Sequence, residues 1–177
     1  MPINAPQTLH TERAHKIIQY FLERAKDWSA ENRDFSLYWS IAHMMTAAQT
    51  MRLLALSRGL DPEIAAIAGA IHDIATMESG KSEDHAARAP EFIDLLLGDY
   101  NARNESHAIS ESELTLLKAI IPQHSDKAVV SDDPYAELLK DADAIDRYLH
   151  GVETKKQEVP RLVNAFSSIG IELTLGF

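Results

Sequence analysis

Apolar residues recur every three or four positions along almost the whole chain, and strand-like alternation is scarce outside the last few residues. This pattern predicts an all-α fold, a single-domain bundle of about six to seven helices. The helices are expected at roughly 8–28, 34–58, 62–76, 83–97, 111–122 and 134–150, with a seventh after Pro160. The punctuation agrees. Asp61-Pro62 and Asp133-Pro134 each set a capping carboxylate before a proline whose missing N–H costs nothing in a first helical turn. Ser110 and Glu113 form a capping box ahead of Leu114, Leu116 and Leu117. Residues 171–177 read as a short extended or capping segment, and the polar stretches 77–82 and 98–110 read as loops. With no repeat, low-complexity stretch or linker, residues 1–177 are expected to form one domain.

Composition narrows the chemistry. A chain of 177 residues, 45% apolar, can build a core without covalent staples. It has no cysteine, which removes thiol catalysis, iron–sulfur clusters and Cys-based zinc sites. The formal charge of −10 argues against a surface that neutralises a nucleic-acid polymer. No apolar run approaches the roughly 20 residues of a membrane span, and MPINAPQTLH lacks the basic-then-apolar order of a leader, so a cytoplasmic location is expected.

The eight histidines carry the candidate chemistry. Residues 64–71 read IAAIAGAI, without a charge, so this helix should be packed on most sides. His72 and Asp73 follow at once. An unpaired buried carboxylate is costly, so this pair is either satisfied by protein hydrogen bonds or holds an ion. Alone, the pair favours the structural reading, because helix neighbours point about 100° apart. His43 also lies on an apolar helix, where Arg52 is the only charge between Phe35 and Ser57. In LLKDADAIDRYLHG, Leu138, Ala142, Ile145 and Leu149 form a core stripe, while Asp143, Asp146 and His150 share a face with Leu139. That face reads most simply as solvated, with Asp143 and Arg147 in an i,i+4 ion pair. Yet three helices supply His, His-Asp and an acidic cluster, a nitrogen-and-oxygen donor set suited to manganese, iron, cobalt, nickel or zinc.

The order His43, then His72-Asp73, then Asp143 within DADAID resembles the H…HD…D signature of the HD-domain superfamily of metal-dependent phosphohydrolases. The resemblance covers about 38–151, roughly two thirds of the chain, including the GLDPEIAAIAGAIHD approach. It implies an HD-like metal-binding core, with the N-terminal helix and the C-terminal tail packed on it. It further implies His43, His72, Asp73 and Asp143 as ligands of a divalent transition metal. Helical periodicity equally allows Asp141 as the last ligand. His85 and His124 resemble histidines of extended versions of the signature, which implies a second metal or contact with a substrate phosphate. The reading of each as a helix-terminal surface histidine stays open beside that. The chain also departs from the subgroups. IATMESGK follows the pair in place of the Gly-Lys of the HDIGK subgroup. Thr76 and Met77 stand where guanosine-tetraphosphate hydrolases carry acids, and Thr76 likewise replaces the acid of 5′-deoxynucleotidases. Ser125 replaces the second histidine of cyclic-di-GMP phosphodiesterases.

The resemblance therefore implies hydrolysis of a small phosphate ester, a nucleotide or related metabolite, by metal-activated water. In this scheme Asp73 ligates one ion or bridges two, and His85 or His124 protonates the leaving oxygen. Candidate phosphate clamps are Arg33, Lys81, Arg88, Lys118 and Lys127, and candidate bases are Glu78, Glu83 and Asp84. The same six residues, His43, His72, Asp73, His85, His124 and Asp143, resemble the ligand set of di-iron HD-type oxygenases, although the short interval from Asp73 to His85 argues against it. A non-catalytic metal- or ligand-binding helical module is the third reading. His10, His15, His107 and His150 are expected to be structural or solvated, and the 10/15 spacing is no HExxH. Ile17, Ile18, Phe21, Leu22, Ala25 and Trp28 should cover the core, or alternatively form the face of a homo-oligomer.

Overall fold

A computed structural model describes residues 11–174. Among these the chain is helical, without a strand: α1 (Glu12–Ala25), α2 (Leu37–Arg58), α3 (Pro62–Ile71), α4 (Ile74–Ser79), α5 (His85–Arg103), α6 (Glu111–Ile120), α7 (Pro134–Leu149) and α8 (Val159–Ser168). The expected all-α bundle is therefore present. The extra helix arises because the predicted 62–76 helix breaks at His72–Asp73 into α3 and α4.

The capping signals act as read. The Asp61 side chain accepts from the N–H groups of Glu63 and Ile64, and Asp133 accepts from those of Tyr135 and Ala136. Ser110 and Glu113 complete their reciprocal capping box. Boundaries elsewhere shift. The first helix begins at Glu12 among the described residues and ends at Ala25, leaving Trp28 in the following turn. The second starts at Leu37, where Ser36 caps the N–H of Trp39. The expected loop at 98–110 loses its first part to α5, because Tyr100 is buried and anchors another turn. Residues 171–174 have no regular secondary structure; 175–177 and His10 lie outside the described residues.

α3 is the central helix. Every residue from Glu63 to Ile71 is buried, as its charge-free sequence predicts. It packs most closely on α2, and Gly69 permits this: a Cβ there would lie 2.8 Å from the Ala47 carbonyl oxygen and 3.0 Å from Ala48 Cα. α7 lies across α2 and α3, and α1 covers α3 with buried Ala14, Ile17, Ile18 and Phe21. The apolar face of the first helix thus belongs to the core. Close α2–α3 packing brings His43 of α2 beside His72 at the end of α3. The α3–α4 break then turns Asp73 toward the face supplied by α7.

Candidate metal centre

His72 sits just past the last turn of α3, and its Nδ1 donates to the Gly69 carbonyl 2.8 Å away. Asp73 occupies the N-cap position of α4, yet its carboxylate caps no N–H of that helix. It is turned instead toward four histidines. Oδ2 lies 3.5 Å from His43 Nε2 and 3.6 Å from His72 Nε2. Oδ1 lies 3.1 Å from His85 Nε2 and 3.3 Å from His124 Nε2. Asp73 therefore joins two sets of donors, one oxygen to each.

The inner set is completed by α7. Asp143 Oδ1 lies 3.3 Å from His43 Nε2 and 4.0 Å from His72 Nε2. His43, His72 and Asp143 are buried, with exposures of 1%, 1% and 3%. In the outer set, His124 ends the 3₁₀ turn Ile121–Gln123 and is buried, whereas the His85 side chain keeps 22% of its surface. His85 is the first residue of α5, entered through Asp84 in the left-handed region at φ 49°. The short interval from Asp73, expected to keep His85 away, does the opposite. α4 has only six residues, and the chain folds back directly after it.

The far nitrogen of each ring is anchored. His43 Nδ1 meets Asp146 Oδ2 at 2.5 Å, His85 Nδ1 donates to Ser82 O at 2.8 Å, and His124 Nδ1 donates to Ile121 O at 2.6 Å. With Nδ1 as the donor, the lone pair of each neutral ring is at Nε2 and faces the cluster. These nitrogens are close: 3.1 Å between His43 and His72, and 3.0 Å between His85 and His124. Two lone pairs do not attract at such distances, so a proton or a cation must lie between them. Asp143 Oδ1 is buried and accepts no hydrogen bond. Two atoms each about 2.1 Å from one ion lie at most about 4.2 Å apart, a limit that every separation above satisfies. The residues present thus fit a divalent cation, and His43/His72/Asp73, His72/His124/Asp143 and Asp73/His85/His124 are the triads able to hold one.

Charge follows the same geometry. Burial alone would lower His43, but Asp143 and Asp146 hold its pKa up at about 10. Near pH 7 that ring therefore carries a proton, which a bound cation would have to displace. Burial lowers His72 to about 4, so that ring is neutral near pH 7. Burial works against the Asp73 and Asp143 carboxylates, yet the neighbouring histidines, and for Asp143 the Lys127 ammonium, keep both well below the ordinary carboxylate range. His85 is raised: burial opposes this, but its bond to Asp73 prevails.

The cluster opens into a cavity of ≈ 190 Å³ whose wall includes Phe35, Ser125, Lys127, Arg147 and Lys155. Of the cationic residues expected to clamp phosphate, Lys127 is at this wall, with Nζ 2.5 Å from Asp143 Oδ2. The others have different partners. Arg33 donates to the carbonyls of Thr76 and Met77, Lys81 pairs with Asp34, Arg88 reaches Ser79 and Ala75, and Lys118 pairs with Asp94. The proposed bases are also elsewhere: Glu78 binds Arg24 and Trp28, and Glu83 and Asp84 are exposed outside the cavity wall. Asp141 pairs with Arg58 at 2.8 Å and Arg161 at 2.7 Å, so Asp143 alone of the two faces the histidines.

The solvated reading of the Asp143 face gives way to a buried one. Asp143 pairs with Lys127, not Arg147, and Asp146 is 2% exposed. The core stripe stops at Ile145, and Leu149 is exposed. Among the remaining histidines, His15 is exposed, His107 pairs with Glu12, and His150 meets Asp146. The contacts of three residues are not visible in the sequence pattern. Asp146 orients His43, a role signalled only by its one-turn spacing from Asp143; Ser125 Oγ lies 3.2 Å from His85 Nε2; Lys127 answers Asp143.

The family model that matches this chain is described as HD domain and spans residues 40–148, more than half of the sequence. Neither curated proteins nor solved structures yield a match. Among the described residues no helix is long and apolar enough to cross a membrane.

Proposed function

The chain belongs to the HD-domain family, and from that premise we propose that it is a metal-dependent phosphohydrolase cleaving a small phosphate ester, such as a nucleotide or a related metabolite. The observation that carries this reading is the Asp73 carboxylate, spanning two histidine pairs at the floor of a cavity with a cationic wall. A divalent ion supplies a nucleophilic water at neutral pH and positive charge against the phosphoryl oxygens.

His43, His72, Asp143 and Oδ2 of Asp73 would hold one ion; Oδ1 of Asp73, His85 and His124 would hold a second. The Nδ1 anchors keep the four rings from turning, so the donor set is preorganised. Lys127, Arg147 and Lys155 attract the phosphate dianion and orient it toward the floor. At ≈ 190 Å³ the cavity is smaller than the roughly 300 Å³ at which drug-sized ligands begin to be enclosed, so it takes the phosphoryl end and leaves the rest at the mouth. With one ion bound, His85 is the proton donor to the leaving oxygen, because Asp73 favours its protonated form and it is reachable from the cavity. With two, His85 and His124 would both be ligands, and the leaving oxygen would take its proton from water entering at the open mouth of the cavity.

The test is metal content after chelator-free purification, followed by assays of a phosphoester panel with Mn²⁺, Co²⁺ or Ni²⁺. His72→Ala and Asp73→Asn should abolish both bound metal and turnover; turnover unchanged by either would refute the proposal. A second reading, the di-iron oxygenase, is favoured by the convergence of all six donors. Two irons per chain, no phosphoester turnover and substrate-dependent O₂ uptake would select it. A folded wild type that takes up no metal would select the non-catalytic module.

A further inference from the structure

Phe35 stands at the cavity wall opposite in character to Lys127, Arg147 and Lys155, with 38% of its surface exposed. An exposed phenyl ring beside a polar cavity has no role in the core. It is nevertheless held firmly. Its ring stacks on Trp39, with centroids 4.9 Å apart and planes 28° from parallel, and Trp39 stacks in turn on His43 at 4.8 Å and 27°. The shelf is thus tied through two stacked rings to a residue of the inner donor set. The cavity behind it is too small for more than the phosphoryl end, so whatever is attached to the phosphate lies at the rim, where Phe35 is.

We propose that Phe35 is a specificity residue that stacks on a planar ring in the alcohol part of the phosphate ester, making esters of ring-bearing alcohols, such as nucleoside monophosphates, the preferred class. This rests on the phosphate-ester reading above. Stacking suits the site because a π face accepts any planar ring without hydrogen-bond readout. The ring is already braced by Trp39, so ligand binding orders little.

The test compares a nucleoside 5′-monophosphate with ribose 5-phosphate, in which a hydroxyl stands in place of the base. Affinity of each for the metal-loaded full chain is measured by calorimetry, and turnover is followed in parallel. Wild type should prefer the nucleotide, and Phe35→Ala should reduce that preference by at least about fivefold, the lower range for one base–aromatic stack. Phe35→Trp should retain it. Tyr38→Ala, at a 90% exposed aromatic outside the cavity wall, should leave the preference as in wild type. Metal content measured on every variant separates loss of the shelf from damage to His43. An equal preference in wild type and Phe35→Ala, or no preference in wild type, overturns the inference and leaves the hydrolase reading standing if both esters are cleaved. A Phe35-dependent binding preference with neither ester cleaved supports the shelf and overturns the hydrolase reading.

Discussion

Removing the carboxylate of Asp146 tests whether the inner donor set is preorganised by residues that are not themselves ligands. Asp146 Oδ2 lies 2.5 Å from His43 Nδ1, and both side chains are 2% exposed, so no water replaces the contact without rearrangement. The two substitutions differ in what they leave. Asp146→Asn keeps the volume and can still accept from Nδ1 through its amide oxygen, losing only the charge that makes His43 a better donor. Asp146→Ala also frees the ring and strands a buried N–H. Loss of such a supporting partner costs about 10–100-fold in metal affinity, or roughly 1.4–2.7 kcal/mol. Asn should fall near the lower end and Ala near the upper. The assay is a competitive chelator titration with Co²⁺ or Mn²⁺, run on wild type, both variants, His43→Ala and His43→Ala/Asp146→Ala. Since Asp146 reaches the donor set through His43, the double variant should bind no more weakly than His43→Ala alone. Affinities of both Asp146 variants within twofold of wild type would show that Asp146 does not support His43, and a further loss in the double variant would show that it acts by another route.

A cation must expel the proton that His43 holds in the metal-free protein. Because that pKa is raised to about 10 and His72 is lowered to about 4, binding near pH 7 should release about one proton from His43, none from His72, and a further fraction from the raised His85. Affinity should therefore rise with pH between about 6 and 8, and calorimetry in buffers of different ionisation enthalpy would detect the proton; zero release contradicts the assignment. Lys127→Ala should leave metal bound, because its partner is the Asp143 oxygen turned away from the histidines, but weaken inhibition by inorganic phosphate about tenfold or more. Gly69→Ala places a methyl 2.8 Å from backbone of α2 and should destabilise the fold by about 1–3 kcal/mol in urea unfolding, with no loss expected if α2 and α3 could separate freely.

Local chemistry made much of this molecule legible from its sequence. The caps at Asp61, Ser110 and Asp133 lie where residue type and proline placement put them, because a cap depends on neighbours three residues away. The buried α3 was readable from its charge-free run. His43, His72, Asp73 and Asp143 were recognisable as a set through their order along the chain, and His85 and His124 through the longer pattern. What could not be read depends on tertiary packing. The break at His72–Asp73 interrupts an apolar pattern that continues on both sides, and His72 turns its ring onto the Gly69 carbonyl only in the fold. Asp143 and Asp146 lie one turn apart on what periodicity marks as a solvated face. That face is buried because Lys127 covers Asp143 and His43 of α2 meets Asp146. The interval from Asp73 to His85 misled for a related reason: sequence distance does not show that a six-residue helix returns the chain to its start.

If the two histidine pairs joined by Asp73 hold a catalytic cation, metal and turnover must be lost together when that carboxylate is neutralised. The most direct measurement is metal stoichiometry and phosphoester turnover determined on the same preparations of wild type and Asp73→Asn, each verified as folded by circular dichroism. Wild type should carry one or two divalent ions per chain and hydrolyse a phosphate ester, and Asp73→Asn should lose both together. An Asp73→Asn protein that keeps its metal and its turnover would show that no catalytic cation depends on this carboxylate.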